Sequence, residues 1–211
     1  MKRLILAIAA AALVCGGCVR PYGDTSLYQT SGRHKAVVAV LPVINQTSMT
    51  NIPWDLSQEL TEEIRKKVYE SKRIYLHREP TSLEVAQLLS VPNPQSISSR
   101  AAESLGDAEY AIVTEVIEQK EKAFKARSEL GAILTFALRV RVLDLRQSTP
   151  KVILQEVLDK DYVVAKPYMH CDYEKMGWGT EAFNYTPMGM AHSRLVRELV
   201  SRAEAYIEAS L

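Results

Sequence analysis

The chain has 211 residues, 47% of them hydrophobic, and 26 basic against 25 acidic side chains for a formal net charge of +1. So even a balance gives no electrostatic reason to expect a nucleic-acid partner. The apolar fraction can bury the core of one domain.

Lys2 and Arg3 precede an unbroken apolar run, Leu4–Val14, followed by "CGGC". A bilayer span takes about 20 residues, so the run is too short to cross and instead has the order of a secretory signal peptide. Gly16 and Gly17 ahead of Cys18 resemble the lipobox of bacterial lipoproteins. That resemblance implies cleavage before Cys18 and acylation of its sulfur and amino group. Cys15 stands where such motifs usually carry Leu. As a rival anchor it would follow Val14, which is bulky at the position that should be small. Residues 1–17 are therefore expected to be a lipoprotein signal peptide with Cys18 as lipid anchor. Cys15 then leaves with the signal, Cys171 is the remaining thiol, and no intramolecular disulfide forms. Cleavage also removes Lys2 and Arg3 and no acid from the formal charge.

Residues 18–33, polar and broken by Pro21 and Gly23, read as a lipidated tether ahead of a domain at 34–211. Fully extended, a tether of this length spans about 50 Å; as a coil it averages about 20–25 Å. The domain is thus expected to stay near its membrane, facing the periplasm. Val19 is not the Asp that marks inner-membrane retention in some bacteria, which favours the outer membrane.

"KAVVAVLPV", 35–43, is apolar on both faces and predicts a central strand covered on both sides. "INQTSMTN" reads as a loop, and Asn51 with Pro53 as the start of a helix. Leu56, Leu60, Ile64 and Val68 follow at steps of four as a core-facing stripe, with Glu59, Glu62, Glu63, Arg65, Lys66 and Lys67 expected on a solvated face. "RIYLH" predicts a short strand. Thr81 and Glu84 have capping-box spacing for a helix, and a further helix over 96–105 is capped by Gly106. Residues 108–122, 133–146 and 151–165 predict long strands, the last two an antiparallel hairpin around "QSTP". A loop over 166–186 carries Tyr168, Tyr173, Trp178 and Tyr185, whose residue types suit a partner-binding surface. A helix over 188–210 closes the chain, with Met188, Leu195, Leu199, Ala203 and Tyr206 on one face, widened by Val196, Val200 and Ile207. The order predicts an α/β domain: a mixed sheet flanked by helices.

No phosphate-binding, dinucleotide, nucleophile-elbow or zinc-protease motif occurs. His170, Cys171 and Asp172 are metal-capable types, but neighbours in an extended segment point to opposite faces. The expectation is no catalysis, no metal, no cofactor and no evident small-molecule substrate.

Four stretches together carry a resemblance: "VAVLPVINQT" (38–47), "AAESLGDAEYAIVTEV" (101–116), "LRVRVLDLRQSTPKVILQE" (138–156) and "TPMGMAHSRLVREL" (186–199). Their order resembles the superfamily of curli-secretion channel lipoproteins, penicillin-binding-protein activator lipoproteins and the TolB N-terminal domain. Within it the chain is most similar to small chlamydial lipoproteins. The resemblance implies a lipid-anchored α/β domain that binds another cell-envelope protein without catalysis. It leaves as alternatives a subunit of an oligomeric outer-membrane secretion channel and an envelope enzyme of unknown chemistry. The short tether argues against an activator that reaches through the wall. Arg139, Arg141, Asp159, Lys160 and Asp161 crowd 133–164 and argue for a soluble sheet rather than a membrane hairpin.

Overall fold

The β-branched run after Lys35 makes β3, Val37–Val40, and both of its faces are buried. The computed structural model describes residues 29–30, 33–47, 52–79, 81–91, 97–126, 129–166 and 171–211. The signal peptide and Cys18 lie outside them. Gln29–Thr30 (β1) and Arg33–His34 (β2) pair antiparallel with each other, so the end of the expected tether forms a short ladder. The rest, from Lys35 to Leu211, is one unit.

Ile44–Asn45 (β4), Tyr75–Leu76 (β5), Tyr110–Ala126 (β6), Glu129–Asp144 (β7) and Lys151–Ala165 (β8) complete a six-stranded mixed sheet with β3. Its order is β5-β3-β6-β7-β8, with β4 also on β6. β3 runs parallel to β5 and β6, while β6, β7 and β8 are antiparallel in turn. Ile44–Asn45 was expected in a loop; it reaches the sheet because the parallel register continues to Glu115 and Val116. Asn45 then turns the chain as its residue type suggests, its Oδ1 accepting from the Thr47 N–H at 2.9 Å.

Helix α1, Leu56–Ser71, buries Leu56, Leu60, Ile64 and Val68 as the steps of four required. It starts later than Asn51 because Asp55 caps it, accepting the Ser57 N–H at 2.8 Å. Helix α2, Leu83–Leu89, is capped by Ser82 rather than Thr81, whose hydroxyl turns toward the Val40 carbonyl. Helix α3 is shorter than expected, Ser99–Glu103, and Gly106 follows at φ 60°, the left-handed conformation open to glycine.

Helix α4, Pro187–Ser210, starts at Thr186, which accepts the Gly189 N–H at 3.0 Å, with Pro187 in the first turn. Its core face uses Ile207, fully buried; Tyr206, expected there, is 44% exposed. Seven residues after Leu199, Tyr206 stays in phase with that stripe, so its exposure is not a matter of helical phase.

Three layers result. α1 and α4 pack on one sheet face against Ile112, Phe136, Leu138 and Leu158. α2 and α3 cover the other face only near β3 and the neighbouring ends of β6 and β7, over Ala39, Ala111, Val113 and Leu143. Each large apolar side chain buried in these layers contributes about 1.5–3 kcal/mol. The long hairpin packs as part of the domain's sheet: Leu134, Phe136 and Leu158 are interior.

Candidate functional site

Two polar side chains lie where the helical periods put core positions. Glu59 is three residues after Leu56, and His192 lies between Met188 and Leu195, so each falls on its helix's inward face. Glu59 is fully buried and His192 is 2% exposed. The expectation that Glu59 belongs to the solvated face is therefore corrected. It escapes the cost of a bare buried charge by being bonded twice. Its Oε1 meets His192 Nδ1 at 2.6 Å, and its Oε2 accepts the Trp54 indole N–H at 2.7 Å.

An ionised carboxylate only accepts, so Nδ1 carries the proton and Nε2 of a neutral ring is left as the acceptor. Nε2 is buried and has no protein partner. The Phe136 ring lies over the imidazole at 4.5 Å between centroids, and Phe183 meets it edge-on at 6.2 Å. Such a carboxylate–imidazole pair has the arrangement of a general base. No side-chain nucleophile of the described residues is within hydrogen-bond reach of Nε2.

The roof over this pair comes from the 171–186 segment. Thr180 caps a 3₁₀ turn, Glu181–Tyr185, which drives Phe183 into the core. Trp54 stands edge-on to both Phe183 and Tyr173, at 5.3 and 5.9 Å. Gly177 lies against the Trp54 ring with no room for a side chain: a Cβ there would stand 2.5 Å from the Tyr173 carbonyl oxygen and 2.9 Å from the indole. Burial pushes the Tyr173 phenol well above its usual pKa and raises the neighbouring Cys171 thiol as well.

The loop residues expected to face a partner thus separate. Tyr173 and Trp178 are half-buried and, like Trp54, pack against the cluster that holds Leu134, Phe183 and Met188. Tyr185 is 72% exposed. Tyr168, like Cys18, lies outside the described residues. Beside Trp178, a cavity of about 340 Å³ opens between α1, this roof and the start of α4, and Glu59 and His192 both line it. Among the described residues no group of three metal-capable side chains converges.

A second buried charge cluster serves the sheet. Glu115 accepts from Arg139 at 2.8 Å and from Arg141 at 2.9 Å, and Arg141 also bonds Gln155 and the Ser90 carbonyl after α2. It ties α2 to β6, β7 and β8.

A family model described as a family of unknown function (DUF7499) matches residues 24–211. The chain belongs to this family. No curated protein matches it. The family fold is close to a solved structure of the hypothetical protein CT253 from Chlamydia trachomatis, 35% identical, covering 83% of this chain and 99% of that one at a TM-score of 0.71. The chlamydial likeness read from the sequence therefore holds at the level of structure. Two looser likenesses are PelC of Paraburkholderia phytofirmans, a dodecamer, and lipoprotein GNA1162 of Neisseria meningitidis. Each is 12% identical, with TM-scores of 0.46 and 0.43. They cover 81% and 79% of this chain and 89% and 99% of their own.

Proposed function

We propose that this family member is a non-enzymatic lipoprotein of the cell envelope, anchored through Cys18 to the outer membrane and facing the periplasm, whose domain binds another envelope protein. The observation that carries the reading is the exposed outer face of β8. α2 and α3 stop short of it, and the odd-numbered residues of β8 from Gln155 to Ala165 are all exposed. Val157 and Val163 are 51% and 75% exposed there, on strands long enough to offer a broad, stiff surface. The lipobox-like "CGGC" supports the anchor. The buried Glu59–His192 pair, with no side-chain nucleophile of the described residues bonded to Nε2, supports a binding rather than a catalytic role.

Two measurements test it. Growth with an alkyne fatty acid should label the native chain and its Cys15→Ser variant but not Cys18→Ser; label lost with Cys15 instead overturns the anchor. A photo-crosslinking residue at position 163 or 157 in intact cells should give one discrete protein adduct. Adducts to lipid alone would remove the partner-binding role.

A further inference from the structure

The cavity beneath the roof has a lopsided lining. Glu59, Glu63 and Glu181 bring three carboxylates to it, against one cation, Lys66. Lys66 is 58% exposed and stands 3.9 Å from Glu63, a distant surface pair that neutralises little. A second observation is independent of the acids. His192 lines the same cavity while 2% exposed, and with Nδ1 held by Glu59 its Nε2, an acceptor on a neutral ring, has no partner among the described residues. A buried acceptor in that state calls for a donor. Trp178, half-buried at the cavity wall, adds an aromatic ring, and a cation is attracted to the face of such a ring.

We propose that this cavity is a binding site for an organic cation, an ammonium or guanidinium group on a short aliphatic stem. The stem packs on Trp178 and Phe183. The charged N–H groups answer Glu63 and Glu181 at the mouth and bring a donor toward the imidazole floor, directly or through one water. An anion would meet Glu63 and Glu181 at the mouth, and an uncharged ligand would leave them without a strong counter-charge, Glu59 being already bonded by His192 and Trp54. The volume lies at the lower end of about 300–1,000 Å³ typical of small-ligand sites. The proposal stands whether or not the open sheet face binds a protein.

The test is calorimetric titration of the full chain in non-ionic detergent with four probes: cadaverine, the Nα-acetyl methylamides of lysine and arginine, and that of norleucine as neutral isostere. The cations should bind and norleucine should not. Cadaverine binding alone identifies a free amine as the ligand class; binding of the lysine or arginine derivative identifies a basic peptide side chain. The double variant Glu63→Gln, Glu181→Gln, at exposed or half-exposed positions that leave the core intact, should bind about tenfold more weakly, the scale of losing one charged hydrogen bond. Trp178→Leu should weaken cation binding as well. The proposal is overturned by no heat with any cation, by equal binding of norleucine, or by unchanged affinity in the double variant.

Discussion

Glu59 shows what a carboxylate must find when the helical period carries it inward. Its two oxygens are taken by His192 and Trp54, and removing either side leaves a buried group alone. Glu59→Ala is expected to cost about 3–5 kcal/mol, the usual result of breaking one half of a buried pair. Glu59→Leu combined with His192→Leu should recover part of that loss, because the imidazole is no longer left alone, while the Trp54 indole N–H still lacks its acceptor. Urea unfolding of the single and double variants gives the coupling; additive losses would mean the pair is not coupled. Gly177 is a simpler residue-scale case. Gly177→Ala forces Trp54 or the Tyr173 carbonyl to move and should cost about 1–3 kcal/mol by the same measurement.

At the scale of elements, α1 and α4 meet at a second buried acid. Glu204 is 2% exposed and accepts from Ser71 and Arg73, yet burial dominates and raises its pKa. A carboxyl whose folded pKa is raised favours the protonated fold. Its contribution is therefore present at low pH and lost as pH climbs from about 4.3 through the raised value. Glu204→Gln should flatten that loss, so the variant gains on the native chain as pH rises through this window. Asp144, at the end of β7, has the opposite sign. Its hydrogen bonds with Arg146 hold its pKa down, so its contribution is lost as pH falls through the lowered value. Asp144→Asn should be most destabilising near neutral pH and least below the native group's folded pKa. Unfolding free energies from pH 3 to 7 check both signs. The elements themselves were readable where periodicity was strong, as in α1, α4 and β8. The ends were not, because Asp55, Ser82 and Ser98 competed with neighbouring residues of equal capping ability, and contacts far along the chain chose between them.

For the whole molecule, the unequal cover of the sheet matters most. Among the described residues, one face is covered along the sheet by α1, α4 and the 171–186 roof, and the other carries α2 and α3 at the β3 end and is exposed along β8. Asp159, Lys160 and Asp161 put charge on the edge strand β8, which discourages open-ended strand addition. Partner binding is therefore expected through side chains of the open face. Val163→Lys should change stability by no more than about 0.5 kcal/mol, as an exposed site allows, while lowering the yield of a crosslinked adduct from position 157. Unchanged yield would shift the binding surface elsewhere, toward Tyr185 and Met190.

By itself the sequence determined the element types and their order, and with them an α/β domain. Apolar runs and stripes of period four are local signals; the pairing of the strands and the number of layers are tertiary. The sequence did not place Glu59, which was expected among the solvated charges of α1 and is fully buried, and nothing local showed that it would meet His192. They are 133 residues apart in sequence, and the tertiary structure alone brought Glu59 Oε1 to His192 Nδ1. The fate of the 171–186 aromatics was decided in the same way. Trp178 and Tyr173 could have faced a partner or the core, and it was a buried cluster of Leu134, Val164, Phe183 and Met188, with Trp54 edge-on to Tyr173, that gave them an interior surface to pack on.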